Sequence, residues 1–476
     1  MTVTTTPTVT TTPTAASADT GFGSGNPAAA AAPLALPAPY GSCPYDPPPG
    51  YTQAAARAPV SRAELPDGTP CWLVTGHQEV RAVLADARFS ADARTPGFPF
   101  LSPGQRQLAT AQPSFIRMDD PEHSRLRRMV AKDFLNRRVR ELRPAIADVV
   151  EAAVGAMTSG GRRTADLVAD FALPVPSLVI CLMLGVPYED HALFQSLSRT
   201  LLDNTTDPGR AAGAHRGLMG YLAELAELAE LAELAELAEL AELAELAERK
   251  RRDPGDDILS RLAVRPDLTA RETASLGFML LITGHESTTN MAALSVLALL
   301  RHPGQAARLR AEPALIPGAV EELLRYLTII HLGLGRAATE DVTVAGAAIR
   351  AGDGVICMLS TANRQPELFG SADFTEPTEP TEPTEPTDPA EPAEAPGGGS
   401  ACPAELDVTR DARRHVAFGH GPHQCLGHTL ARVELQVMLE TVLRKLPGLR
   451  LAVPEEQLVF QRDTIVYGLR ELPVAW

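Results

Sequence analysis

Apolar positions along this chain recur mostly at helical spacing, with short alternating runs near both ends of its globular part. The globular texture starts near Tyr51. Residues 60–75 alternate around Pro66-Asp67-Gly68, which predicts short strands joined by a turn. A helical period follows over 77–87. Residues 91–114 hold several Gly and Pro without a period and read as a mobile loop. Asp119-Asp120-Pro121-Glu122-His123 opens a helix, its proline near the first turn. Residues 141–221 read as helices with loops near 159–163 and 203–209. The most apolar long helix is predicted over 271–301, another over 428–443, and strands with a turn over 459–476.

Three stretches break this texture. Residues 1–40 are rich in Thr, Ala, Pro and Gly and read as a disordered leader, which puts the folded domain at 41–476. Leu-Ala-Glu recurs nine times over 222–248. All three residue types favour helix, but a period of three winds the leucines around the axis instead of lining one face. We read this repeat as an insertion in a surface helix, roughly 40 Å long at about 1.5 Å per residue. A coiled-coil interface fits the period less well. Thr-Glu-Pro and Ala-Glu-Pro repeats with a Gly run occupy 375–400, where proline at every third position predicts an extended, solvated loop.

Charge adds little. The net charge of -16 equals the nine glutamates of the first repeat plus the six glutamates and Asp388 of the second tract. The remainder is formally neutral, so nucleic-acid binding has no support. The six cysteines are scattered without a pairing pattern, as expected of a reduced, cytoplasmic protein. No Lys or Arg precedes Arg57 and no apolar run is long enough to span a bilayer, so neither a signal peptide nor a membrane anchor is expected.

The chemistry concentrates in Phe418-Gly419-His420-Gly421-Pro422-His423-Gln424-Cys425-Leu426-Gly427, directly before the 428–443 helix. Gly419 and Gly421 permit backbone angles closed to other residues, and their amides can turn toward the sulfur. The helix start favours thiolate over thiol. Gly427 leaves room for a flat group against the backbone. This suits a thiolate bound axially to haem iron. A buried structural cysteine and a zinc site of His420, His423, Cys425 and His428 are the alternatives. Zinc does not account for Phe418 or the three glycines.

The stretch resembles the haem-binding signature of the cytochrome P450 superfamily, Phe-Gly-x-Gly-x-His-x-Cys-x-Gly, with every fixed position present. The likeness is to soluble bacterial members of actinobacterial type and covers about 51–476 apart from the two repeats. It implies a mainly α fold with small antiparallel β-sheets, and haem b between the long central helix and the Cys425 loop. It also implies that His123 and Arg127, four apart on one helix face, bind a haem propionate, with Arg336 and His423 on the second. Thr283-Gly284-His285-Glu286-Ser287-Thr288-Thr289 lies mid-way along the 271–301 helix. Buried acid and hydroxyls are costly without a role, and Gly284 and Ser287 predict a kink there. The stretch resembles the family's oxygen-binding helix, with Thr283 in place of a small residue and Ser287 in place of threonine. Glu286 and Ser287 would then deliver protons.

Glu322 and Arg325 resemble the family's structural Glu-x-x-Arg pair. An arginine in the following meander usually completes that network. None occurs between Arg364 and Arg410, and Glu405 stands near the expected place, which would weaken haem retention. The implied reaction is insertion of one oxygen atom from O2 into a lipophilic small molecule, such as a secondary metabolite or xenobiotic. Substrate contacts are expected from 91–114, 201–212, 280–287, 328–334 and 464–466. No flavin or nicotinamide domain is visible, so electrons are expected from ferredoxin and its reductase, docking on Arg125, Arg128, Arg413 and Arg414. A peroxide-driven enzyme and a haem-binding protein without activity are the alternatives.

Overall fold

The helices that position the site are α1 (Glu122–Ala131), α2 (Asn136–Thr158), α3 (Pro174–Leu184), α4 (Pro208–Leu231), α5 (Ala270–Arg301), α6 (Ile316–Leu327) and α7 (His428–Lys445). They come from a computed structural model, which describes residues 32–102, 105–106, 109, 114–188, 191–202, 206–231, 257–370 and 402–476. The 375–400 tract and most of the Leu-Ala-Glu repeat lie outside the described residues; the repeat's first part continues α4.

Helix α5 is the central element. Thr269 starts it with a capping box: its hydroxyl accepts from the Glu272 amide at 3.2 Å, and the Glu272 carboxylate accepts from the Thr269 amide at 2.9 Å. Beyond that first turn the helix is apolar nearly all round, as a helix packed on several sides must be. It packs against α3, α4 and α7. Helix α5 runs unbroken across 283–289. Gly284 serves contact there. A Cβ there would stand 2.8 Å from Ile180 Cγ1, so glycine lets α3 approach closely. The polar side chains of this stretch bond back to carbonyls one turn earlier, Thr283 to Met279 at 2.6 Å, Ser287 to Thr283 at 2.8 Å and Thr289 to His285 at 2.8 Å. That satisfies them without opening the helix.

The larger sheet has six strands, β1 (Leu34–Ala35), β2 (Val60–Glu64), β3 (Pro70–Val74), β4 (Phe89–Ser90), β5 (Leu334–Ala338) and β6 (Gly354–Cys357), in the order β1-β2-β3-β6-β5-β4. The expected strand pair over 60–75 is β2–β3, antiparallel, with Val60 opposite Val74. The fold is mainly α as expected, but this sheet is mixed: β1 runs parallel to β2, and β3 parallel to β6. Smaller antiparallel sheets join Arg450–Leu451, Pro473–Ala475 and Thr164–Asp166, and pair Phe460–Gln461 with Gly468–Leu469.

Strand β1 also corrects the leader boundary. Leu34 and Ala35 pair with Ala63 and Glu64, Leu36 and Ala38 are buried, and Tyr40 stacks on Tyr467 at 5.4 Å. The fold therefore includes residues 34–40. Their prolines and alanines match the leader in composition, but their apolar side chains find a core.

Glu322 and Arg325 are both fully buried on α6. Arg325 donates to both Glu322 carboxylate oxygens, at 2.7 and 2.8 Å, and to the carbonyls of Asn363 and Pro403 at 2.9 and 2.8 Å. One guanidinium thus ties together the segments on either side of the 375–400 tract. The expected gap in this network is closed. Arg410 donates to Glu322 at 3.2 Å, to the Cys402 carbonyl at 3.0 Å and to the Phe369 carbonyl. Glu405 accepts through its backbone carbonyl, so its acidic side chain does not have to replace an arginine.

Candidate haem-thiolate site

The Cys425 loop is shaped by its glycines. Gly419 and Gly421 have φ of 70° and 73°. A Cβ on Gly421 would stand 2.6 Å from the Leu84 carbonyl oxygen, so a side chain is excluded there. The Cys425 amide donates to the Phe418 carbonyl at 2.9 Å and closes the loop. The Gly419 amide donates to Val416 at 2.8 Å, so it does not reach the sulfur as expected. The amide that serves the thiol is that of Gly427. A Cβ on Gly427 would meet only Phe134, at 4.0 Å, which leaves the clearance a flat ring needs. Burial raises the Cys425 thiol above its ordinary value, and the Gly427 amide, Arg127 and Arg432 pull it back only in part. The helix start alone therefore does not make the thiolate; an iron held here would favour loss of the proton.

A second layer holds the loop from behind, and sequence reasoning missed it. Arg432 on α7 donates to both oxygens of Glu321 at 2.6 and 2.8 Å, and its guanidinium lies 4.6 Å from the Phe418 ring centroid. His415 faces Glu321 at 3.2 Å. Burial pushes the Glu321 carboxyl up, but the bonds from His415 and Arg432 outweigh it and hold it at about 2. Glu321 beside Glu322 in the sequence was the available signal, but nothing in the spacing pointed to Arg432.

His123, Arg127, Arg336 and His423 come together. The His123 and His423 rings lie 4.0 Å apart, and Arg336 and Arg127 both depress His423. His123 is buried with both ring nitrogens unpartnered among the described residues, and Asp120 stands 3.5 Å from Nδ1, beyond good hydrogen-bond distance. His423 Nδ1 is likewise unpartnered. Arg336 is buried, and among the described residues its hydrogen bond is to the Gly335 carbonyl at 2.8 Å. Arg127 donates to the Gln424 carbonyl at 2.7 Å, tying α1 to the Cys425 loop. Burial and the neighbouring arginines push His423 down to about 3 and lower His123, so both rings are neutral donors here. Arg117 adds another cation, lowered by burial and by Arg336, with its guanidinium 5.3 Å from the Phe98 centroid. A lone arginine in an irregular loop gives no sequence signal. Buried donors without acceptors are costly, and this set calls for carboxylates. The propionates of a haem held at Cys425 would supply them, so these residues fit that group. Zinc does not fit: among the described residues no three His, Cys, Asp or Glu side chains gather to hold a metal.

A family model described as Cytochrome P450 matches residues 65–457. This chain belongs to the cytochrome P450 family. Cytochrome P450-SU2 of Streptomyces griseolus is 51% identical over 434 residues, 91% of this chain and 94% of that protein. Pentalenic acid synthase of Streptomyces avermitilis is 42% identical over 93% of this chain and 98% of that protein. The crystal structure of GfsF superposes with a TM-score of 0.77 at 40% identity, covering 94% of this chain and all of that one. The protein is thus a P450 of bacterial, actinobacterial type, a haem-thiolate monooxygenase whose cofactor is haem b. Among the described residues no helix is long and apolar enough to cross a membrane.

In this P450, Glu286 and Ser287 lie on α5, Glu286 buried and Ser287 half-buried. Behind them, Glu434 of α7 is buried beside Thr288, with neither carboxyl oxygen in a good hydrogen bond. Burial raises its carboxyl well above the ordinary 4.5, so it is protonated in the fold. The sign follows from linkage. The unfolded chain releases this proton above pH 4.5 while the fold keeps it, so the residue costs stability as pH rises. Glu434→Gln is therefore expected to raise the unfolding free energy at pH 8 by about 1–3 kcal/mol. The gap should close near pH 4.5, as scanning calorimetry across pH would record.

The expected basic docking face is partly neutralised. Arg125 bonds Glu122 at 2.8 Å and pairs with Glu272, and Arg413 pairs with Asp411 at 2.7 Å. Arg128 is exposed beside Arg127 on α1.

Proposed function

We propose that this P450 hydroxylates or epoxidises a lipophilic small molecule, using O2 and electrons from a ferredoxin and its reductase. Haem supplies the oxygen-activating chemistry when bound. The protein's own residues position it, protonate and exclude water. Cys425 would hold the haem iron through its sulfur, and Phe418, Gly419 and Gly427 shape its loop. His123, Arg127, Arg336 and His423 would hold the propionates. Glu286 gives up a proton, and Ser287 relays it. The Ser287 hydroxyl donates to Thr283 at 2.8 Å, which leaves its lone pairs free to accept from a proton donor.

The observation that best supports the assignment is the set of buried, unpartnered donors around the Cys425 loop. Retention of an acid and a hydroxyl on α5 favours O2 over peroxide as oxidant, since peroxide brings its own protons. The name of the pentalenic acid synthase relative supports a lipophilic substrate. Exposed Arg128 supports an acidic electron donor such as ferredoxin.

The test compares two drives. Glu286→Gln is expected to lower ferredoxin-driven product formation on the order of 10²-fold while sparing the peroxide-driven reaction. Equal losses in both would remove the proton-delivery role. Product with peroxide alone, and none with ferredoxin and NAD(P)H, would overturn the oxidant assignment.

A further inference from the structure

The polar run on α5 holds one pair that its back-bonding leaves unsatisfied. His285 is fully buried and Glu286 is 8% exposed. His285 Nε2 and Glu286 Oε1 are both buried without a hydrogen-bond partner. They stand 3.7 Å from each other. That is too long for a finished hydrogen bond and too short for a water between them.

The tautomer of His285 follows from its other nitrogen. Nδ1 lies 2.5 Å from the Leu281 carbonyl oxygen. A carbonyl only accepts, so Nδ1 carries the hydrogen and a neutral imidazole presents a bare Nε2. An ionised Glu286 would then set two acceptors against each other in a buried place, with neither one satisfied. One proton removes the conflict: it serves equally as Glu286 O–H donating to Nε2 or as imidazolium N–H donating to the carboxylate. The Phe194 ring packs edge-on against the imidazole at 5.7 Å and holds its orientation.

We infer that His285 and Glu286 form a proton-storing pair, in which His285 is a positioning residue that holds Glu286 loaded one residue from Ser287. The inference rests on the proposed role of Glu286 in proton delivery. The balance is simple. Glu286 passes its stored proton to the Ser287 hydroxyl oxygen as that hydroxyl releases its own hydrogen onward, and a hydronium ion from bulk solvent reloads the pair and leaves as water, with no change of redox state.

The test uses the haem-loaded enzyme and an infrared readout that does not depend on turnover. The difference between wild type and Glu286→Gln at neutral pH isolates the Glu286 carboxyl band. His285→Phe keeps a ring against Phe194 but removes Nε2, and is expected to shift that band. It is also expected to lower product per NAD(P)H consumed roughly tenfold. His285→Gln, which retains an acceptor, should recover part of that coupling. A Glu286 band identical in wild type and His285→Phe would overturn the pair. If the band shifts but Glu286→Gln leaves coupling intact, the pair stands and the delivery role fails. Should His285→Phe bind no haem, the band in His285→Gln decides alone, with an unshifted band overturning the pair.

Discussion

Arg325→Ala is expected to yield almost no folded, haem-loaded protein. The guanidinium is fully buried and donates to Glu322 twice and to the carbonyls of Asn363 and Pro403. Alanine strands the Glu322 carboxylate in the core and frees two backbone carbonyls. Breaking a buried pair from one side costs about 3–5 kcal/mol, against a total stability of about 5–15 kcal/mol. The effect should exceed that of any surface arginine, because the same group ties the residues before the 375–400 tract to those after it. Arg410→Ala should cost less, about 1–3 kcal/mol, since Arg325 still satisfies Glu322. Soluble yield, haem content and thermal unfolding of the two variants side by side give the ranking. If the Arg410 variant proved the more damaging, the network would be centred elsewhere than on α6.

Cys425→Ala should do the opposite: preserve the fold and abolish the enzyme. The loop is closed by the backbone amide of Cys425 on the Phe418 carbonyl, a bond that alanine retains. Far-ultraviolet circular dichroism should therefore match wild type. Monooxygenase turnover should fall on the order of 10³-fold or more, because alanine has no sulfur with which to hold the haem iron. Cys181→Ala is a suitable contrast. That thiol is buried on α3 and should affect packing without touching haem ligation.

The chemistry was more legible in the sequence than its supports. The 271–301 helix falls within one residue of Ala270–Arg301, because an apolar stretch with a capping box has little other choice. The Cys425 loop was legible because residue types, order and spacing all carry the constraint, down to Gly421 against Leu84. What failed were partnerships across long separations. Arg410 reaches Glu322 from 88 residues away, and Arg432 reaches Glu321 from 111. Spacing in the meander suggested a missing arginine because the partner was sought at a fixed offset, whereas the fold needed only a guanidinium within reach. The leader boundary failed because composition cannot see that Leu36 and Ala38 find a core. The His285–Glu286 pair was hidden for another reason. Adjacent residues on a helix do not normally face each other, and only the Nδ1 bond to Leu281 turns Nε2 toward the acid.

The central claim is that Cys425 holds a haem iron as thiolate while His123, Arg127, Arg336 and His423 take the propionates. The most direct measurement is the difference spectrum of the purified, reduced protein on adding carbon monoxide. A strongly red-shifted Soret band typical of thiolate-ligated carbonyl haem, absent in Cys425→Ala, is the predicted result. A band typical of histidine ligation in the intact protein, or a colourless protein expressed with ample haem, would contradict it.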